Sequence, residues 1–314
     1  MADADAASPA ASPAAAAGTV TLGADGPTVN RMGYGAMRIT GDGIWGPPAD
    51  HDGAVAVLRR AAELGVDFVD TADSYGPEVS EELIAEALSP YPEGLVIATK
   101  GGYLRSGPNQ WDPDGRPSHL REACEGSLRR LGVERIDLYQ FHVPDPNVPF
   151  EDSVGTLVEL RDEGKIAHIG LSNVDVDQVR LASTLTPIAS VQNRYNTSVR
   201  FSDPVIELAE QMGFAFIPWA PVGGYSPGKG KALENVAQRT GATPVQVAVA
   251  WQLARSPQML PIPGTKSVAH LEENVAAAAI SLGDDDLAEL ATPPKKRPTA
   301  RQVASKFKRR LSGG

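Results

Sequence analysis

The 314-residue sequence has one cysteine, Cys124, so no internal disulfide can staple it. It lacks any apolar run near the roughly 18 residues that a membrane-spanning helix needs. Its five histidines, His51, His119, His142, His168 and His270, include no close pair at metal-ligand spacing, and no metal site is expected. Positive charge is in deficit: 29 Lys and Arg stand against 39 Asp and Glu, a formal net charge of −10. That balance argues against a nucleic-acid binder. A small-molecule partner is expected, with neither nucleic acid nor membrane. No Gly/Ser linker interrupts residues 19–294, which reads as one domain.

The two ends differ from the middle. Residues 1–18 open on acids and continue as Ala/Ser/Pro, with Pro9 and Pro13 interrupting any helix. They read as a disordered extension. No basic region precedes an apolar core there, as a secretory signal would require, so the default compartment is the cytoplasm. Residues 295–314 form a basic tail, with eight Lys and Arg and no acid between 295 and 310. A solvated tail, a contact with acidic surface and a weak membrane or nucleic-acid patch are the readings open for it. Nothing sets an oligomeric state.

Between the ends, short β-branched runs alternate with segments of helical period. The runs are Arg31–Arg38, Val66–Thr71, Leu95–Lys100, Ile136–His142, His168–Asn173, Ser190–Asn196, Ala215–Pro221 and Met259–Thr265. Several are continuously apolar, as strands covered on both faces are. Helical stripes occupy Ala54–Leu64, Ser80–Leu88, Leu120–Leu131, Ser153–Glu163 and Gln246–Ala254. Gly65, Gly132, Gly164 and Gly213 each follow a helical segment, where a left-handed cap favours glycine. Eight strands separated by helices predict an α/β fold, an eight-stranded parallel (β/α)8 TIM barrel. Thr19–Asn30, with Asp25-Gly26 near its turn, predicts a β-hairpin capping the bottom of the barrel. The alternative is an open doubly wound sheet, and the missing Gly-x-Gly-x-x-Gly after the first strand counts against it.

In such a barrel, chemistry sits where the strands end. Asp70 and Tyr75 follow the second run, Lys100 ends the third and His142 ends the fourth. Tyrosine ionises near ~10 and is a poor acid at neutral pH unless tuned. An ammonium beside it lowers that value, a carboxylate holds the ammonium, and a histidine can orient a substrate oxygen. The set suits protonation of a carbonyl oxygen as hydride reaches the carbon. Taken alone, each has a plainer reading: Tyr75-Gly76 as a turn, Lys100 as a surface lysine, His142 as a satisfied core histidine. Cys124 lies in a helical stripe and reads as packing.

Five stretches in order make the sequence resemble the aldo-keto reductase superfamily. They are 65–76 (GVDFVDTADSYG), 97–100 (IATK), 135–142 (RIDLYQFH), 164–173 (GKIAHIGLSN) and 262–274 (IPGTKSVAHLEEN). The resemblance implies an eight-stranded barrel that reduces aldehydes and ketones with NADPH. By it, Tyr75 is the general acid, Lys100 its partner, Asp70 the partner of the lysine, and His142 the group that orients the carbonyl. Ser172, Asn173 and Gln192 match residues that bind the nicotinamide carboxamide, and Trp219 matches an aromatic that stacks on its ring.

Ala220, Pro221, Val222, Gly223, Gly224 and Lys229 fall in the pyrophosphate loop after the seventh strand. Pro263, Gly264, Thr265, Lys266 and His270 fall in the 2′-phosphate stretch, and Glu273 and Asn274 in the adenine contact. Gly264 and His270 stand where a Lys and an Arg are frequent. The segments 32–48, 191–196 and 267–274 resemble the bacterial pyridoxal reductase-like branch, which implies pyridoxal reduced to pyridoxine. Met37, Trp45, Tyr103, Trp111 and Phe141 are candidates for the substrate mouth. A tailoring reductase for a larger ketone and a cofactor-sensing regulatory subunit are the alternatives.

Overall fold

The computed structural model describes residues 12–223 and 230–291. It begins earlier than the composition suggests. Pro13–Ala17 forms a turn of 3-10 helix, with Ala14 fully buried and its N–H donating to Leu64 O at 3.1 Å. Residues 12–18 therefore do not belong to a disordered extension. Gly65, at φ +80°, leaves room for Ser12, whose Oγ would lie 2.0 Å from a β-carbon there. The basic tail lies outside the described residues.

The hairpin follows, β1 (Thr19–Thr21) antiparallel to β2 (Thr28–Asn30). The sheet strands are β3 (Tyr34–Gly35), β4 (Phe68–Asp70), β5 (Val96–Gly101), β8 (Ile136–Phe141), β9 (Ile166–Ser172), β10 (Ser190–Arg194) and β11 (Ala215–Trp219). A two-stranded excursion, β6 (Tyr103–Leu104) and β7 (Asp112–Pro113), projects after β5. Helices α1 (His51–Glu63), α2 (Val79–Leu88), α3 (Pro117–Leu131), α4 (Phe150–Asp162), α5 (Val176–Leu185) and α6 (Asp203–Met212) follow the first six sheet strands in turn. After β11 come α7 (Lys231–Thr240), α8 (Pro244–Arg255), α9 (Val268–Ala276) and α10 (Asp284–Ala291). None of the described helices is long and apolar enough to cross a membrane.

All seven sheet strands are parallel, and their order across the sheet is their order along the chain. A doubly wound sheet reverses its strand order at a switch point, so this topology rules that alternative out. The eighth expected run, Met259–Thr265, forms no ladder strand. Pro261 and Pro263 remove two donors, leaving one parallel bridge, Met259 to Phe216. The segment still bonds to both edges of the curled sheet. Gln258 O accepts from Phe216 N (2.8 Å), Leu260 N donates to Phe216 O (2.9 Å), and Pro261 O accepts from Gly33 N (3.0 Å).

Alternation along each strand sorts the side chains into two layers. Val69, Ile97, Tyr139 and Ile169 pack outward against the helices. Phe68, Val96, Ala98, Leu138, Ala215 and Ile217 point inward, and Val20, Leu22 and Val29 of the hairpin join them in one buried cluster. Inward residues further along the same strands are polar, and they form the site.

Candidate functional site

Asp70 is the last residue of β4 and Lys100 lies near the end of β5; both are inward and almost fully buried. Lys100 Nζ donates to Asp70 Oδ2 at 2.6 Å, to Thr71 O at 2.8 Å and to Tyr75 OH at 3.3 Å. The second carboxylate oxygen, Asp70 Oδ1, accepts from Gln192 Nε2 (2.7 Å) and Gln140 Nε2 (3.0 Å). The carboxylate is thus satisfied on both oxygens, as a buried charge must be. Gly170 of β9 makes room for this layer: a β-carbon there would lie 2.8 Å from Gln140 Cγ and 2.5 Å from Ser190 Oγ.

The electrostatics differ in part from the expectation. Burial dominates at Tyr75 and raises the phenol above its ordinary value, with Lys100 opposing it. The phenol is therefore held protonated rather than lowered toward neutrality. Burial works to lower the Lys100 ammonium, but Asp70 and Tyr75 more than offset it and leave it above its usual value. His142 lies well below the ordinary imidazole value, through burial and the nearby Lys100 and Arg105 cations. It is neutral at pH 7.

Tyr75 and His142 meet edge to face, ring centroids 5.8 Å apart. Tyr103 and Trp111 of the β6–β7 excursion close around them, at 4.7 and 6.4 Å from the imidazole. These four rings and Met37 line one wall of a cleft of about 590 Å³. The cleft continues past Ser172, Asn173 and Gln192 to Trp219, Ala220, Pro221, Val222 and Gly223, and its floor includes Gly264. Asp70, Tyr75, His142 and most of the anticipated cofactor-binding residues thus line one groove, with Lys100 fully buried behind Asp70 and Tyr75.

Others fall elsewhere. Phe141 does not reach the cleft; it is fully buried on the helix side, 6.1 Å from the Phe150 ring. The period of two explains this, because Gln140 and His142 face inward and Phe141 between them cannot. Trp45 is not among the cleft-lining residues, and its neighbour Ile44 takes that place. Trp45 instead pairs with Gly76 and lies 5.7 Å from the Arg105 guanidinium. Pro263 and Thr265 are buried, and Thr265 O accepts from Tyr34 OH at 2.5 Å. Lys266 and His270 are exposed at the start of α9, which Ser267 caps. Glu273 accepts from Thr243 Oγ1 at 2.6 Å, and Asn274 is buried. Gly224 and Lys229 lie outside the described residues. Cys124 is buried in α3, and its thiol is pushed up to about 12 by burial, so it is packing.

Sequence reading missed four groups. Gln140 was detectable, since it stands two residues before His142 and so shares its face. Arg38 and Arg194 line the cleft, and Arg194 lies 5.4 Å from the Trp219 ring. Arg105 clasps the mouth: it donates to Ser74 O (2.6 Å), Gln110 O (2.7 Å) and Gly43 O (3.1 Å), with its guanidinium 3.7 Å from the Trp111 ring. Nothing in its loop sequence announces that convergence.

Two glycines leave bare backbone at the groove. A β-carbon on Gly264 would lie 2.4 Å from Gly35 O, and one on Gly35 would lie 2.8 Å from Ile262 O. The glycines therefore let the two segments pack backbone to backbone, which no residue with a β-carbon would allow.

The sequence model of the Aldo/keto reductase family matches residues 31–292. An uncharacterized oxidoreductase of Schizosaccharomyces pombe is 49% identical, covering 94% of this chain and 96% of its own. Pyridoxine 4-dehydrogenase of Escherichia coli is 44% identical, covering 87% and 96%. The crystal structure of an aldo-keto reductase from Klebsiella pneumoniae in complex with NADPH superposes with a TM-score of 0.73 at 25% identity, over 88% and 96% of the two chains. The chain belongs to the aldo/keto reductase family.

Proposed function

We propose that this protein reduces an aldehyde or ketone to an alcohol with NADPH, and that Tyr75 gives the proton. One observation carries the reading: Lys100 Nζ touches both Asp70 Oδ2 (2.6 Å) and Tyr75 OH (3.3 Å) at a ring-lined cleft. The protonated phenol is the acid. As its proton leaves, Lys100 stabilises the phenolate, and Asp70 keeps the lysine charged and fixed. Neutral His142 donates to the carbonyl oxygen and sets its angle. When bound, the nicotinamide supplies hydride to the carbonyl carbon.

The groove fits such a cofactor. Ser172, Asn173 and Gln192 offer amide and hydroxyl groups for the carboxamide. Trp219 offers a ring face, held by a 3.0 Å hydrogen bond from its Nε1–H to Asn173 Oδ1. The loop Ala220, Pro221, Val222 and Gly223 along the groove suits the pyrophosphate. Lys266, His270 and the N-terminus of α9 suit the 2′-phosphate. We read the curled sheet as an eight-stranded barrel closed through residues 258–262 and floored by the N-terminal hairpin, one domain running to about residue 294. The 44% identity to pyridoxine 4-dehydrogenase favours pyridoxal as the substrate.

NADPH oxidation followed by absorbance, with pyridoxal beside a panel of small and bulky carbonyls, tests both parts. Tyr75→Phe is expected to lower kcat on the order of 10²-fold or more while NADPH binding is kept. Full turnover by that variant overturns the role of Tyr75. Tyr75-dependent turnover on other carbonyls alone discards pyridoxal and keeps the chemistry.

A further inference from the structure

His142 can orient a carbonyl only if its cleft-facing nitrogen carries the hydrogen. A neutral imidazole has one donor and one acceptor nitrogen, and the partner of one decides the state of the other. Here Nδ1 faces Ser74 Oγ at 3.4 Å in a buried contact, while Nε2 has no protein partner among the described residues and the ring lines the cleft. Next to Ser74 stands Asp73, partly buried, its carboxyl against the amide and hydroxyl of Ser74. Asp73 Oδ1 has no hydrogen-bond partner, and neither has the buried Tyr139 OH.

We propose that Asp73 and Ser74 are positioning residues for His142: the Asp73 acid donates to Ser74 Oγ, Ser74 donates to His142 Nδ1, and the hydrogen of the imidazole is thereby fixed on Nε2 toward the substrate. The inference rests on the carbonyl-reductase reading above. It has a built-in reversal. If Asp73 ionises, it accepts from Ser74 instead. Ser74 then has no hydrogen to offer, Nδ1 must become the donor, and Nε2 presents a lone pair to the carbonyl oxygen.

The surroundings set where the reversal occurs. Glu81 of α2 and Tyr139 of β8 face Asp73 from two sides, Arg130 of α3 offsets them, and the Asp73 N–H donates to Lys100 O at 3.3 Å. Burial, with Glu81 adding to it, raises the Asp73 carboxyl to about 8. His142 is faced by Lys100, Arg105, Tyr75 and Tyr103, and stays neutral across this range. Reduction is thus expected to fall as pH rises through about 8. Folding stability carries the same sign. The folded chain keeps a proton on Asp73 that the unfolded chain releases near 3.8, so this group's contribution declines as pH rises from about 4 to about 8.

The test uses the full-length enzyme with NADPH. Ser74→Ala is expected to lower kcat roughly 10-fold, the worth of one buried hydrogen bond, and Ser74→Thr to restore most of it. Asp73→Asn, whose amide donates at every pH, is expected to erase the alkaline limb of the kcat/KM profile. Ring-nitrogen NMR of His142 reads the tautomer without reference to turnover. It is expected to report Nε2–H in the wild type below pH 8 and a mixture in Ser74→Ala. An unchanged tautomer and rate in Ser74→Ala overturns the relay, and a limb that persists in Asp73→Asn removes Asp73 from it. Full turnover by Tyr75→Phe in the same assay overturns the role given to Tyr75 in that reading instead, and leaves the NMR result to stand or fall alone.

Discussion

Lys100→Met is expected to lower carbonyl reduction on the order of 10³-fold and to destabilise the protein in the same stroke. Methionine matches the lysine chain as far as Cε but carries no charge and no donor. Three hydrogen bonds go with the ammonium, to Asp70 Oδ2, Thr71 O and Tyr75 OH. The effect on rate follows from Tyr75. Burial already raises its phenol, and Lys100 is the group that opposes burial. Without it the phenolate left by proton transfer has no counter-charge, and a loss on the order of 10³-fold is expected.

The effect on stability follows from Asp70. Breaking a buried ion pair by deleting one partner costs about 3–5 kcal/mol, because the other charge remains. Asp70 retains the two glutamine donors on Oδ1, which points to the lower end, about 3 kcal/mol. Thermal or urea unfolding and NADPH oxidation, run on one preparation, separate the two. A variant as stable as the wild type would mean that Asp70 is not left as an unpaired charge. A variant with near-normal rate would mean that Lys100 does not assist Tyr75.

The strand ends were legible because their chemistry is unusual: a lysine, an aspartate and a histidine closing apolar runs are hard to explain as packing. The helix caps were legible for a steric reason, and Gly65, Gly132, Gly164 and Gly213 all adopt positive φ. The misreadings share another cause. Trp45 was expected at the mouth from its loop position, and Phe141 beside it, yet a strand alternates faces and a loop goes where its hydrogen bonds take it. Met259–Thr265 looked like a strand by its apolar content, but its prolines bar a ladder. Residues 12–18 looked unfolded by composition, and small side chains that disfavour a core of their own can still fill a crevice in another. Arg105 was invisible, since its importance lies in partners such as Ser74, 31 positions away.

Behind the loop that carries Tyr75, Arg130→Met is expected to destabilise the protein by about 3–5 kcal/mol. Glu81 is fully buried on α2, where one oxygen accepts from Thr99 Oγ1 (2.5 Å) and the other from Arg130 Nε (2.6 Å). The arginine also reaches Glu78 at 3.2 Å and acts on Asp73, so one cation stands against three carboxyl groups beside the loop that carries Tyr75. Gly126 is part of this arrangement, since a β-carbon there would lie 2.7 Å from Arg130 Nη1.

Methionine fills the same channel but leaves Glu81 with a single hydroxyl donor, and a loss of about 3–5 kcal/mol is expected. Pairing Arg130→Met with Glu81→Leu distinguishes charge from packing. If the stranded carboxylate is the cause, the double variant regains most of the stability, because a buried ion pair can be replaced by apolar groups at little net cost. If it regains none, the guanidinium matters for the surfaces it fills rather than for the charge it balances. Activity gives a second readout. Arg130 holds the Asp73 carboxyl down, so its removal should move the alkaline limb of the rate profile to higher pH.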